Sequence, residues 1–198
     1  MINLRLDKVS FSYPSQDILK DASCEIQEGC YGVIGPNGSG KTTLLKLFLG
    51  ELKADSGFVH REKGLNIAYM AQEINLDPEE LAFEVVKAGA RGVLELESKL
   101  THLETLFANP KYYTNGKRLA KLIDHQAHTF EEYNKLGGPG LDGRIRTLLG
   151  SIGFTLNEMD LPLGKLSGGQ KKLVGLARII INRPDVLLLD EPDNHLDL

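Results

Sequence analysis

Apolar and polar positions alternate at Leu4, Leu6, Val9 and Phe11, with one slip at Asp7-Lys8, and again at Ala22, Cys24 and Ile26. This period of two predicts two strands at the start of the chain, with a bulge in the first. The apolar residues Cys30, Tyr31, Val33 and Ile34 then run almost without a break, a glycine-rich stretch follows, and Leu44, Leu45, Leu47, Phe48 and Leu49 come after it. That order predicts a strand, a loop and a helix. Gly50 suits the helix C-cap, Asp55-Ser56-Gly57 a turn, and Phe58-Val59 and Ile67-Ala68-Tyr69 two short strands.

From Asp77 the period lengthens. Asp77 is placed to cap a helix with Pro78 in its first turn and Glu79 and Glu80 beside its positive end. Val93, Leu96, Leu100, Leu103 and Phe107 step by three or four, Asn109-Pro110 breaks the pattern, and Leu119, Leu122, Ile123, Gln126, Phe130 and Tyr133 resume it as far as Gly137-Gly138-Pro139-Gly140. Two antiparallel helices are expected, with a third over about residues 141–152. Leu173, Leu176, Ala177 and Ile180 predict a further helix, and Val186, Leu187, Leu188 and Leu189 have the continuous apolar character of a buried parallel strand. The pattern divides the chain into a core at 1–75, a helical subdomain at 76–163, and a closing segment at 164–198.

The 198 residues, 41% hydrophobic, suffice for a sizeable core. No apolar run reaches the roughly 20 residues of a membrane span, and the first residues lack a secretory pattern, so a cytosolic protein is expected. A net charge of -4 gives no global attraction to nucleic acid, although Lys111, Lys117, Arg118 and Lys121 near the tip of the helix pair would suit a polyanion. Cys24 and Cys30 read as reduced strand residues without chemistry.

Chemistry enters with Gly35, Pro36, Asn37, Gly38, Ser39, Gly40, Lys41, Thr42 and Thr43. Glycines at this spacing let successive N–H groups and the positive end of a helix point into one concavity, which holds phosphate. Lys41 sits where its ammonium reaches the β- and γ-phosphates, and Thr42 where its hydroxyl meets Mg²⁺. Ser167, Gly168, Gly169 and Gln170 open another helix and form a second anion cradle without a lysine. Asp190 and Glu191 close the apolar strand, Asp190 suited to Mg²⁺ or its water shell and Glu191 to polarising the water that attacks the γ-phosphate. Tyr13, held extended before Pro14, offers a ring face to a purine, and Gln72 follows a core strand where the chain changes character.

The phosphate loop, Gln72, Leu-Ser-Gly-Gly-Gln at 166–170 and Leu-Leu-Leu-Asp-Glu-Pro at 187–192 resemble, in this order, an ATP-binding cassette ATPase across essentially the whole chain. The resemblance implies an α/β fold: a P-loop nucleoside-triphosphatase core with N-terminal antiparallel strands and an inserted α-helical subdomain. It implies ATP and Mg²⁺ as cofactors, with Tyr13 stacking on adenine and Gln72 linking the Mg²⁺ site and its catalysis to the helical subdomain. It also implies that Ser167, Gly168, Gly169 and Gln170 close over the nucleotide of a second cassette, in the same full-length chain or in a homodimer.

Asn194-His195-Leu196-Asp197 is similar to the ABC-F group, twin-cassette proteins that act on the ribosome, and the region 84–154 is similar to that group's first cassette without a long inserted arm. Asp193 and Leu173 depart from the group's usual threonine and arginine, and the sequence stops before the expected switch histidine and second cassette. The function implied is an ATPase coupling nucleotide to ribosome engagement, with no direct membrane insertion. The alternatives are the ATPase subunit of a membrane transporter, or a nucleotide-binding fragment without turnover of its own.

Overall fold

The computed structural model describes residues 4–72 and 76–191. Pro192, Asp193, Asn194, His195, Leu196, Asp197 and Leu198, which carry the Asn-His-Leu-Asp resemblance, lie outside the described residues. The chain forms two compact units, one of Met1–Ile74 with Arg183–Leu198, the other of Asn75–Asn182, so that the Ser167 segment is part of the second.

In the first unit, β1 (Leu4–Tyr13) and β2 (Gln16–Ile26) form an antiparallel hairpin across Pro14-Ser15, and β3 (Ser56–Arg61) pairs with the other edge of β1. The register slips between Leu6 and Val9, where Lys8 has a φ of 47°, which is the slip written in the hydrophobic pattern. β2 starts six residues before the alternation does, because its first half is held by the hairpin rather than by burial. Helix α1 (Lys41–Leu49) buries Leu47 and Phe48 against Leu4, Leu6, Val9 and Phe11. β4 (Ile67–Met70) and β5 (Val186–Leu189) pair in parallel, and Leu188 joins the same core.

The expected strand over residues 30–34 is not formed. Val33 and Ile34 are exposed, Ile34 almost completely. A buried strand requires neighbouring strands for its backbone N–H and C=O groups. Among the described residues, the parallel sheet consists of β4 and β5 only, and residues 30–34 pair with neither. Leu189 on β5 is correspondingly part-exposed instead of buried.

In the second unit, α2 (Ala82–Lys87), the start of α3 (Arg91–Phe107), α6 (Leu141–Ser151), α7 (Leu156–Met159) and α8 (Gly168–Ile180) enclose a core around Val85, Val86, Ile145, Leu149, Leu163 and Val174. The contact of α8 with α2 is close enough to require Gly89, since a Cβ there would lie 2.0 Å from the Arg178 carbonyl oxygen. Asp77 does not cap a helix as expected. Its carboxylate accepts from the Glu79 N–H at 3.0 Å in a local turn, and the N-cap of α2 is Leu81, four residues later. Aspartate bonds as readily to a turn as to a helix start, and here the Glu80 N–H donates to the Asp77 carbonyl at 3.2 Å and closes the turn, after which Leu81 pairs with Pro162 in an isolated bridge.

The helix pair is present as α3 and α5 (Gly116–Lys135), with the short α4 (Pro110–Tyr113) between them. Asn109 and Asn115 cap the last two through their side chains. Val93, Leu96 and Leu103 are buried as their spacing predicts, but Ile123 and Phe130 of α5 are half exposed. The apolar stripe on α5 is wider than the surface that α3 covers.

Candidate functional site

The phosphate loop is shaped by its last glycine. Gly40 is the N-cap of α1 at φ 93°, and a Cβ there would stand 2.5 Å from Ile18 Cγ2, so both backbone and space require glycine. Residues 36–39 are exposed, which leaves the loop open to a ligand at the positive end of a nine-residue helix. The Lys41 ammonium lies back across the loop and donates to the carbonyls of Gly35 at 2.9 Å and Pro36 at 3.1 Å. Thr42 is exposed, whereas Thr43 is buried in the first turn. Thr43 therefore belongs to the core side of the helix.

The two carboxylates behave differently. Asp190 is 5% exposed, and its Oδ2 accepts from the Tyr69 hydroxyl at 3.0 Å. Burial and then this bond to a carboxylate push the Tyr69 hydroxyl up to about 12, so it remains a donor throughout the physiological range. Glu191 has a φ of 47°, a region that a residue with a Cβ occupies only when its surroundings impose it. Its Oε2 accepts from Gln72 Nε2 at 2.5 Å. The structure thus brings Gln72 to Glu191 across 119 residues of sequence.

Residues suited to Mg²⁺ are few. Among the described residues no three His, Cys, Asp or Glu side chains gather into a metal-binding group. A hydroxyl at Thr42 and one buried carboxylate at Asp190 nevertheless fit this cation, which keeps waters and takes one or two carboxylates together with substrate phosphates.

Tyr13 ends β1, 42% exposed, with its ring perpendicular to that of Phe11 and the centroids 5.0 Å apart. If adenine stacks there, Tyr13→Ala is expected to cost about 1–3 kcal/mol of ATP binding, read by calorimetry. An unchanged affinity would reduce Tyr13 to a packing partner of Phe11.

In the second unit Ser167 is the N-cap of α8. Its hydroxyl accepts from the Gln170 N–H at 3.2 Å, and the Gln170 side chain accepts from the Ser167 N–H at 3.0 Å. This reciprocal pair is a capping box, and Gln170 Nε2 also donates to Glu158 at 2.9 Å. Bonds from Thr155 and Gln170 hold the Glu158 carboxyl below the usual range. Gly168 and Gly169 carry no Cβ at the opening of the helix, and a Cβ at Gly168 would meet nothing. Reading by sequence missed Tyr69 and Glu158 as partners of these groups. The serine and glutamine three residues apart were a legible capping signal; the Tyr69 contact had none.

A mixed α/β unit with an open phosphate loop and two carboxylates at a strand end defines a nucleotide-binding protein. Residues 19–194 match the family described as ABC transporter, and the chain belongs to that family of ATP-binding cassettes. The cassette is of ABC-F type. It is 35% identical over 185 residues to the energy-dependent translational throttle protein EttA of Haemophilus influenzae, covering 93% of this chain and 32% of that protein. It is 31% identical to ABC transporter F family member 2 of Arabidopsis thaliana, over 98% of this chain and 29% of that one. The chain spans about a third of the length of these relatives. A nucleotide-free ATP-binding cassette from an ABC transporter shares the fold, with a TM-score of 0.59 at 24% identity, covering 97% of this chain and 70% of the other. No helix of the described residues is long and apolar enough to cross a membrane.

Proposed function

We propose that the chain is one cassette of a cytoplasmic ATPase that couples ATP binding and hydrolysis to engagement of the ribosome. The observation that carries this reading is the 35% identity to a translational throttle protein over nearly the whole chain. The exposed cations Lys111, Lys117, Arg118 and Lys121 around α4 and the start of α5 support it, since they would meet an RNA backbone.

In this reading the loop N–H groups and Lys41 bind the phosphates, and the Lys41 ammonium exchanges the carbonyls of Gly35 and Pro36 for phosphate oxygens. Tyr13 takes the base. Thr42 and Asp190, with Gln72, would hold Mg²⁺, which would supply neutralisation of the phosphate charge. Glu191 orients the attacking water and accepts its proton, and Gln72, which donates to Glu191, holds that carboxylate in place. Ser167, Gly168, Gly169 and Gln170 face the nucleotide of a second cassette.

The test is co-sedimentation of the full-length protein with ribosomes in the presence of ATP. Binding that falls with salt and with charge reversal at Lys111, Lys117, Arg118 and Lys121 is expected. Recovery with a membrane permease and none with ribosomes would sink this reading in favour of a transporter subunit.

A further inference from the structure

A carboxylate that is 5% exposed is stable only where donors replace the water it has lost. For Asp190 the side-chain donor comes from β4. Tyr69 pairs with Leu188 in the parallel register, and the alternation of side chains puts Asp190, two residues on, on the same face as Leu188. The tyrosine is therefore long enough, and correctly turned, to reach diagonally to Oδ2 at 3.0 Å. The Asp190 N–H meanwhile donates to the Met70 carbonyl at 3.0 Å, which continues the ladder and fixes the backbone from which the carboxylate projects. Backbone and side chain are thus both held by β4.

We propose that Tyr69 is a positioning residue for the cation side of the site, its hydroxyl holding Oδ2 of Asp190 so that Oδ1 is presented to Mg²⁺ or its water shell. This rests on the reading of Asp190 as the metal-side carboxylate. A neutral donor suits the task. It fixes the carboxylate without cancelling its charge, as a lysine or arginine in its place would, and partners of this kind commonly change metal affinity by about 10- to 100-fold when removed. A tyrosine that merely fills the space between two strands would stabilise the unit and leave the Mg²⁺ requirement unchanged.

The experiment measures ATP affinity of the 198-residue chain by calorimetry, first with chelator and then across a Mg²⁺ titration. Tyr69→Phe, which keeps the ring, is expected to leave the metal-free affinity unchanged and to raise the Mg²⁺ concentration at half-effect about tenfold or more. Asp190→Asn is expected to abolish the Mg²⁺-dependent increment, and the double variant to lose nothing further. Loss of the increment in Asp190→Asn with no shift in Tyr69→Phe overturns the inference alone. Retention of the increment in Asp190→Asn overturns the assignment of Asp190, and the inference with it. A Tyr69→Phe chain that melts lower and loses metal-free and Mg²⁺-dependent affinity in parallel shows a structural residue only.

A second measurement needs no variant of the site. Adding Mg²⁺ to the unaltered, ATP-saturated chain should perturb the near-ultraviolet absorption of a tyrosine whose hydroxyl bonds to the carboxylate taking up the ion. No perturbation on metal addition would equally overturn the proposal.

Discussion

Replacing Lys41 by alanine is expected to weaken ATP binding about ten- to a hundredfold while leaving the fold intact. The ammonium bonds to two loop carbonyls, so its removal exposes no buried charge and creates no cavity in the core of Leu47, Phe48 and Leu188. Alanine is also the best helix former, and position 41 is the first residue of α1. The loss falls on the bound state. There the lysine would bond to phosphate oxygens that carry charge of their own, each such bond worth about 1.5–3 kcal/mol, whereas the carbonyls of Gly35 and Pro36 that it gives up are neutral acceptors. Calorimetry beside thermal unfolding checks this. Equal affinity in an equally stable variant would remove Lys41 from the phosphate site.

The difference between local and distant information decides what could be read from the chain. Each glycine-rich helix start is a local event, and α1 and α8 begin at the positions that Gly40 and Ser167 signal. The bulge at Lys8 and the stripe of Val93, Leu96 and Leu103 are likewise written in consecutive residues. Residues 30–34 show the limit, because an apolar run states that a strand is favourable and not that a partner strand is present. Asp77 shows another, since its carboxylate serves a turn as readily as a helix.

The candidate site depended on distant information more than the fold did. Gln72 and Glu191 could be named separately from the order of motifs, but nothing in either neighbourhood says that they bond. Tyr69 was legible only as an apolar strand residue. Its contact with Asp190 follows from the register between β4 and β5, a quantity no single-strand pattern contains. The Ser167 segment carries two demands at once: the hydroxyl and the amide that cap α8 are the groups assigned to a second nucleotide, so engagement there must compete with the capping box or use the remaining N–H groups of the first turn.

The chain assayed alone is expected to bind ATP and hydrolyse it hardly above background. It carries one phosphate loop, with Lys41, and one signature segment at Ser167, Gly168, Gly169 and Gln170. If each signature serves the nucleotide of a facing cassette, one copy supplies half of each of two sites. Electrostatic stabilisation of the transferring phosphoryl group is the largest contribution to this chemistry, and loss of one such donor commonly costs about a hundred- to a thousandfold in rate. Turnover by the lone chain should therefore rise more than linearly with protein concentration as encounters between copies complete sites. In the full-length protein, Glu191→Gln keeps an oxygen where Gln72 now donates but lacks the basicity to take a proton from water, so it should bind ATP, hold the cassettes closed and release no phosphate. Steady-state phosphate release across a range of chain concentrations decides the matter. Brisk turnover whose specific rate is independent of concentration would mean that one cassette is a complete active site, and the role proposed for Ser167 and Gln170 toward a second nucleotide would have to be abandoned.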